Sequence, residues 1–154
     1  MFNKLFKSRR NKLSEFTNGT ENKFLITDKA GISYGVAYIP YETDDKVEYG
    51  GIYKVFNKRG NKIGSLSFVN HYDDVPPFAL LCDIYFEPNV RNLGIGSKLI
   101  SVFEEKAKLL GAERIEGELS SVDETGDNVA LRNNFYINRG YEIVDKIKII
   151  KHIT

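Results

Sequence analysis

Two glycines, one residue apart, mark the part of the sequence best suited to binding an anion. Gly94 and Gly96 lie in Arg-Asn-Leu-Gly-Ile-Gly, residues 91–96, and Ser97 and Lys98 follow directly. The first N–H groups of a helix have no acceptor within the helix, and the helix dipole adds partial positive charge there. Glycines at a helix start let a phosphate approach the backbone closely, while a hydroxyl and an ammonium add contacts. The stretch therefore predicts a phosphate-binding loop.

The flanking segments predict a strand before this loop and a helix after it. Residues 79–86 are apolar and rich in strand formers, and Pro88, which cannot donate to a sheet ladder, marks the strand's end. The spacing excludes a Walker loop, and it excludes a dinucleotide fingerprint because the third glycine would fall at Leu99. Apolar residues recur after the glycines at helical spacing, namely Ile95, Leu99, Val102, Phe103, Ala107 and Leu110.

This strand, loop and helix resemble the acetyl-CoA pyrophosphate loop of the GNAT superfamily of N-acetyltransferases, where the pattern is Gln/Arg-x-x-Gly-x-Gly/Ala. A second stretch, Phe-Tyr-Ile-Asn-Arg-Gly-Tyr at residues 135–141, is similar to the Phe-Tyr-x-x-x-Gly-Phe ending of that superfamily's last helix. Gly140 suits the left-handed residue that follows a helix end. The resemblance covers about residues 62–145.

The resemblance implies acetyl-CoA as co-substrate, with no metal, and it implies which residues hold the cofactor. The backbone of Ile84 and Phe86 would pair with the pantetheine amides where the strand splays from its neighbour. Asn128 would add a pantetheine contact or cap the last helix, since Val129 occupies the place of the family's asparagine. The loop residues implied for the pyrophosphate are Arg91, Asn92, Leu93, Gly94, Ile95, Gly96, Ser97 and Lys98.

Acetyl transfer from a thioester to an amine needs a base for the amine's proton and an acid for the leaving thiolate. Tyr136 occupies the tyrosine of the family motif, which implies the general acid; a core aromatic is the other interpretation. Asp83 is a candidate base, predicted on the same strand face as Leu81 and Tyr85, or else a structural acid paired with a lysine. Glu87 is a further acid, expected in a solvated loop.

Composition is that of one soluble domain. The chain has 154 residues, 42% hydrophobic and 28% charged, which is enough to bury a sizeable core. The lone Cys82 excludes an internal disulfide, and its apolar strand predicts a buried thiol in a cytoplasmic protein. His71 and His152 are isolated and lack zinc-ligand spacing, so no metal site is predicted. No apolar run is long enough for a membrane span.

The N-terminus is strongly basic, although the formal net charge of the whole chain is only +1. Residues 1–13 contain five Lys or Arg and no acid, which leaves −4 on the remainder. Such an arm can bind nucleic acid, but we favour a solvated arm with a short amphipathic helix docked on the domain. We divide the chain into a basic N-terminal arm or helix, residues 1–22, and an acetyltransferase domain, residues 23–154.

The order of predicted elements is a strand meander, then strand–helix–strand–helix, then a terminal hairpin. This predicts an α+β, single-domain acetyltransferase-like fold: a mixed, mostly antiparallel central sheet with a V-shaped splay and flanking helices. We expect the second strand to end at Pro40, and a late helix to run from an N-cap at Asp127 to about Arg139. Residues 23–58 show no helical periodicity, so the two helices that usually line the family's acceptor site are not predicted.

We interpret the chain as an acetyl-CoA-dependent N-acetyltransferase in which a primary amine attacks the thioester directly. The acceptor would be a small molecule or a peptide. The alternative is a non-catalytic acyl-CoA-binding regulatory module, which the missing acceptor-site helices motivate. Nucleic-acid binding through the arm is a weaker third interpretation, and the terminal hairpin would be a reasonable surface for a homodimer.

Overall fold

A computed structural model describes residues 12–17, 19–119 and 126–153, and the side chains of these residues except 126–128. In these residues, two α-helices, α1 (Ile95–Leu109) and α2 (Gly126–Ile137), and two short 3₁₀ helices (Lys12–Phe16 and Pro88–Val90) accompany the sheet. Its strands are β1 (Lys23–Thr27), β2 (Ser33–Glu42), β3 (Glu48–Phe56), β4 (Lys62–His71), β5 (Phe78–Phe86), β6 (Arg114–Glu118), β7 (Glu142–Val144) and β8 (Lys148–His152).

The eight strands form one mixed sheet in the order β1-β2-β3-β4-β5-β6-β8-β7. All neighbours are antiparallel except β5 and β6, which run parallel because α1 carries the chain back between them. The α+β fold with a mostly antiparallel sheet is confirmed. In the described part of the chain, no helix is long and apolar enough to span a membrane.

One face of the sheet carries the core. Strand register places Val36, Leu66 and Phe68 on this helix-covered face, and all three are fully buried. α1 packs there through Phe103, whose ring centroid lies 4.9 Å from that of Phe68. Burying an aromatic side chain of this size contributes roughly 1.5–3 kcal/mol, so these contacts hold α1 firmly in place. The opposite face, which carries Ser67 in its middle, is called the open face below.

Lys106 adds a charged tie between α1 and the meander. It is buried, and its Nζ lies 2.9 Å from Glu48 and also ion-pairs with Glu21. Tyr38 donates its hydroxyl to the same Glu48 carboxylate at 2.7 Å. Burial alone would lower the pKa of Lys106, but the hydrogen bonds to the two carboxylates outweigh it and raise that pKa. The ammonium therefore stays charged and satisfied inside the protein.

β2 continues past Pro40, where the sequence predicted its end. Tyr38 donates its backbone N–H to Asn22 on the β1 side at 2.8 Å, and the direction alternates along a strand, so the nitrogen of Pro40 points to the same side. β1 pairs with β2 only as far as Ala37. The missing donor of Pro40 therefore costs no ladder bond, while Pro40 still pairs with Gly51 of β3.

The predicted start of the late helix is also wrong by a residue or more. α2 already includes Gly126, so neither Asp127 nor Asn128 is its N-cap. The side chains of both residues lie outside the described part of the chain. The terminal hairpin is confirmed: Asp145 and Lys146 have φ values of 53° and 67°, as the tight turn between β7 and β8 requires.

The end of the N-terminal arm packs on the domain. Leu13 and Phe16 of the first 3₁₀ helix are buried. The Phe16 ring lies over Gly35, where an added Cβ would meet it at 2.5 Å, and 6.2 Å from the ring of Phe56. Residues 1–11, with most of the basic charge, lie outside the described residues. The division of the chain at residue 22 therefore stays a prediction.

Candidate active site

β5 changes its surroundings halfway along its length. Its pairing with β6 ends at Leu81, which lies opposite Gly117. The next residue, Cys82, forms a bulge, because consecutive β4 residues pair with Leu81 and then with Asp83. Beyond the bulge, β5 keeps β4 on one side, while no described strand pairs with its other side. This opening is the predicted V-shaped splay.

The backbone groups of Ile84 and Phe86 point into the splay. Glu87 donates its N–H to Ile63 at 2.9 Å, towards β4, and bond direction alternates along the strand, so residues 84 and 86 face the other side. The Phe86 carbonyl accepts a hydrogen bond there from Nε of Arg91 at 2.8 Å, in place of a strand N–H. These two residues lie where the sequence placed them, on an edge that an amide-bearing ligand could extend.

The bulge moves Asp83 to the face opposite the one expected for it. Asp83 pairs with Ser67 and Leu81 with Phe68, and neighbouring β4 residues face opposite sides. Leu81 is therefore buried in the core, while Asp83 lies exposed on the open face. The prediction that Asp83 shares a face with Leu81, among apolar neighbours, is wrong because the extra residue inverts the alternation.

Cys82 is exposed, not buried as the apolar strand suggested. The bulge turns the side chain out, and its thiol lies 3.5 Å from the Leu80 carbonyl oxygen. Partial desolvation raises the pKa of this thiol. It is therefore protonated at neutral pH and is a poor nucleophile.

The loop after β5 leaves the start of α1 open to an anion. Asn92 and Gly94 both have positive φ, at 66° and 88°. Gly94 is the N-cap and contributes no side-chain hydrogen bond, and the first turn of α1 contains no acid. The first N–H groups of the helix therefore have no capping side chain, and their partial positive charge is uncompensated. An anion at this position would satisfy both.

The two glycines of the loop also leave room for side chains from other segments of the chain. The sequence did not predict these contacts. A Cβ at Gly96 would lie 3.4 Å from the ring of Phe135 and 3.6 Å from that of Phe86. A Cβ at Gly94 would lie 3.0 Å from the side chain of Lys29. The loop is therefore packed against α2 on one side and against the β1–β2 turn on the other.

Tyr136 lies close to this loop but in the core, where it is 8% exposed. Its ring meets Phe135 and Tyr141 edge-on, with centroids 5.2 Å and 5.6 Å away. Tyr141 in turn donates its hydroxyl to Glu104 of α1 at 3.3 Å. The Phe-Tyr motif thus fastens the end of α2 to α1, so Tyr136 is at least the core aromatic considered from the sequence. A role as general acid stays a prediction.

Lys98 lies at the edge of a groove between β1 and α1 with a volume of about 440 Å³. Its Nζ donates to Oγ1 of Thr27 at 2.9 Å, so the side chain leans towards β1. The described residues contain no group of three or more His, Cys, Asp or Glu that could hold a metal ion. The groove is lined by Leu25, Ile26, Thr27, Ser97, Lys98, Ser101 and Val102.

Comparison with known families decides the class of this site. The sequence profile of the acetyltransferase (GNAT) family matches residues 23–136, from β1 through the splay and the loop to Tyr136. The chain belongs to the GNAT family. No curated protein matches the sequence significantly.

Solved structures show the same GNAT fold at low identity. Nourseothricin acetyltransferase is 14% identical, with a TM-score of 0.58 over 88% of this chain and 90% of that one. A GNAT acetyltransferase from Elizabethkingia anophelis with acetyl-CoA bound is 13% identical, with a TM-score of 0.56 over 76% and 97%. A cAMP-binding acyltransferase from Mycobacterium smegmatis is 15% identical, with a TM-score of 0.62 over all of this chain and 54% of its own length.

In this GNAT protein the candidate site consists of three neighbouring parts. They are the free edge of β5 at Ile84 and Phe86, the uncapped start of α1 at Gly94, and the Phe135–Tyr136 pair packed against Gly96. The contact made by Lys29 was missed from the sequence, since nothing in the motif points to a turn so far away along the chain. The assignment of Asn128 stays a prediction because its side chain is not described.

Proposed function

We propose that this protein transfers an acetyl group from acetyl-CoA to a primary amine, which attacks the thioester directly. The observation that carries the proposal is the continuity between the unpaired edge of β5 and the uncapped start of α1. A ligand with amides at one end and phosphates at the other fits this continuity. In related structures, PaiA N-acetyltransferase from Thermoplasma acidophilum is in complex with coenzyme A, and the Elizabethkingia protein has acetyl-CoA bound.

The cofactor would be held mainly by backbone groups. Its pantetheine amides would extend the sheet along Ile84 and Phe86, each hydrogen bond contributing about 0.5–1.5 kcal/mol. Its pyrophosphate would accept from the first N–H groups of α1, after Gly94. Arg91 lies between the strand edge and the start of α1. Its Nε donates to the Phe86 carbonyl, and the other N–H groups of the guanidinium could donate to a phosphate oxygen.

The chemistry would take place where β5 leaves β6. The hydroxyl of Tyr136 would act as general acid and donate its proton to the departing thiolate. Asp83 directly precedes Ile84 and lies on the open face. An acceptor amine that approaches from the open face would meet the carboxylate of Asp83 as it reaches the thioester, and Asp83 would take up its proton.

A non-catalytic acyl-CoA-binding module is the second candidate. It is favoured by the connections between the described strands β1 to β5, which are all turns and loops. None of these connections contains a helix that could line an acceptor site. The acceptor side, where Asp83 and Tyr85 lie, is consequently exposed. Such a protein would bind the cofactor through the same edge and loop without transferring the acetyl group.

Calorimetric titration with acetyl-CoA tests the cofactor part of the proposal. At about 100 times Kd, the ligand should stabilise the fold by about 2.7 kcal/mol, and the melting temperature should rise by several degrees. Absence of binding at millimolar acetyl-CoA would contradict both candidates.

A screen of small amines and peptides then separates the two candidates. Acetylated product should be detected by mass spectrometry. Acetylation of any amine supports transfer, whereas tight binding without product across the screen favours the regulatory module. Dimerisation through the hairpin of β7 and β8, and nucleic-acid binding by the arm, stay predictions for light scattering and a salt-dependent retention assay.

A further inference from the structure

The turn between β1 and β2, residues 28–32, packs directly against the loop that begins α1. Lys29 donates its backbone N–H to the Leu93 carbonyl at 2.8 Å. The side chain of Lys29 then crosses Gly94: an ideal Cβ on that glycine would lie 3.0 Å from Cγ and 3.3 Å from Cε of Lys29. The end of the Lys29 side chain is therefore within a few ångströms of the helix start, although Lys29 lies outside the loop motif.

A buried carboxylate holds this turn in shape. Asp28, which is 5% exposed, accepts hydrogen bonds from the N–H groups of Ala30 and Ile32 at 2.8 Å and 2.9 Å, and from the hydroxyl of Tyr34 at 3.0 Å. Led by the bond from Ile32, these interactions lower the pKa of Asp28, so it is ionised at neutral pH. With three donors bound inside the turn, the carboxylate fixes the backbone on both sides of Lys29.

The charges around the helix start are predominantly positive. Lys29 is exposed, and no carboxylate among the described residues forms an ion pair with it. Lys98 donates to Thr27, a neutral acceptor, and Arg91 to a carbonyl. Asp28 is the adjacent acid, and its oxygens are engaged by the turn. The ammonium groups of Lys29 and Lys98, which both lie beside the turn that follows β1, therefore add to the dipole of α1.

We propose that Lys29 binds a phosphate of the CoA cofactor, and that Asp28 is a positioning residue that holds Lys29 over the loop. This inference rests on the proposed function, because the ligand is the same acetyl-CoA. The turn thus supplies a cation from a distant part of the sequence to a site otherwise built from backbone N–H groups. The pyrophosphate and the 3′-phosphate of CoA offer the same chemistry to an ammonium, and removal of the 3′-phosphate distinguishes them.

The test compares three substitutions by calorimetry at low and moderate salt. Lys29→Met keeps the apolar stem over Gly94 but removes the charge, and Lys29→Arg keeps a charge. Lys46→Gln is the matched control, since Lys46 is exposed in the β2–β3 turn at the opposite end of the sheet. Because Lys29 is exposed, we expect Lys29→Met to raise the Kd for acetyl-CoA by about five- to tenfold. Lys29→Arg and Lys46→Gln should stay within about twofold of the wild type.

Repeating the titrations with 3′-dephospho-CoA shows which phosphate of the cofactor Lys29 binds. If Lys29 binds the 3′-phosphate, the difference between wild type and Lys29→Met disappears with this ligand; if it binds the pyrophosphate, the difference persists. Salt should also weaken the wild type more than Lys29→Met.

Two other results would overturn the inference in distinguishable ways. If the wild type binds acetyl-CoA and Lys29→Met binds equally well at low salt, Lys29 does not contact the cofactor and the proposed function stands. If the wild type itself does not bind, both proposals fail together. Equal melting temperatures for wild type and Lys29→Met without ligand exclude a general loss of stability as the cause.

For Asp28, Asp28→Asn removes the charge that the turn's donors stabilise. As a positioning residue, it should affect KM for acetyl-CoA and leave kcat near the wild-type value. The double variant Asp28→Asn with Lys29→Met should bind no more weakly than Lys29→Met alone, since both changes remove the same contact. Additive losses would show that Asp28 acts on the cofactor independently of Lys29.

Discussion

The two faces of the sheet differ in how firmly they hold the residues of the candidate site. On the helix-covered face, Phe68 and Phe103 bury the sheet against α1, and the loop at Gly96 packs on Phe135. On the open face, Asp83 and Tyr85 are exposed, and no described helix longer than a 3₁₀ turn lies against them. The proposed cofactor site is therefore built from packing and backbone geometry, whereas the proposed acceptor side is built from exposed side chains.

A single extra residue produces this difference. Before the bulge at Cys82, the side chain of Leu81 enters the core; after it, Asp83 points to the open face and Ile84 to the covered one. The same residue marks where β5 loses its β6 partner. The comparison predicts that changes on the covered side alter binding and folding, while changes at the exposed residues Asp83 and Tyr85 of the open side alter only turnover.

The largest effect is expected at Gly96. In Gly96→Trp the new side chain would displace Phe135 and fill the start of α1, so we expect no measurable binding of acetyl-CoA and a loss of about 1–3 kcal/mol from overpacking. Gly96→Ala is the control: its Cβ meets Phe135 at 3.4 Å, an ordinary contact, and alanine favours a helix by about 1 kcal/mol over glycine. Wild-type affinity in Gly96→Trp would show that the cofactor does not use this loop.

Tyr136→Phe should separate turnover from binding. Removal of the hydroxyl removes the proposed acid, so kcat should fall by about 10³-fold while the Kd for acetyl-CoA is unchanged. Tyr141→Phe is the matched variant, because it loses only the hydrogen bond to Glu104, worth about 1 kcal/mol of stability, and should keep kcat. Equal activity of the two variants would rule out Tyr136 as the general acid and would show that it acts only as a core aromatic.

Asp83→Asn should lower turnover without lowering stability. Because Asp83 is exposed, its loss leaves no buried group without a partner, and the melting temperature should not change. As the proposed base, Asp83 would contribute about 10²-fold to kcat/KM, measured in steady-state assays with acetyl-CoA and an acceptor amine. Glu87→Gln, a change at an exposed acid just after β5, serves as the control. An unchanged kcat/KM in Asp83→Asn would rule out this residue as the base.

Glu116 is expected to affect stability alone, and it shows that part of the open face is closed. The carboxylate is 8% exposed and bonds Arg114 at 2.7 Å and Lys148 at 2.6 Å. Burial opposes its ionisation, but hydrogen bonds from Lys148 and Arg114 outweigh it and lower the pKa of Glu116. Loss of one partner of such a cluster costs about 1–3 kcal/mol, so Glu116→Gln should lower the melting temperature by several degrees at pH 7.

The pH dependence of that effect follows from the direction of the shift. A lowered folded-state pKa gives stability that is fully present above the unfolded value of 4.5 and is lost as the pH falls through the folded value. The melting temperatures of wild type and Glu116→Gln should therefore converge in acid. A difference that stays constant below pH 4 would mean that the charge of Glu116 contributes nothing. Acetyl-CoA binding should be the same in both proteins.

Much of the cofactor side could be predicted because its signals are local. The apolar strand, the glycine spacing and the helical period from Ile95 to Leu110 are properties of one continuous segment, and the structure contains the strand, loop and helix they indicate. The terminal hairpin, whose turn lies at Asp145 and Lys146, could also be predicted, because polar residues separate two apolar runs.

The predictions that failed required knowledge of a neighbour. Pro40 remains inside β2 because β1 ends before reaching it. A proline does not disrupt a strand at a position where no neighbouring carbonyl needs its N–H group. Cys82 is exposed and Asp83 changes face because of a bulge, which is defined by a count of residues in two paired strands. No property of residues 79–86 alone reveals that count.

The sequence by itself determined the family, the order of strands and helices and the identity of the loop, because each rests on residues close together along the chain. Only the tertiary structure decided which side chains meet that loop. Lys29 lies on Gly94 and Phe135 on Gly96 because the sheet and α1 bring distant segments together. It also decided which face carries Asp83, because side-chain direction in a strand depends on register with its partner, and register is a property of the pair.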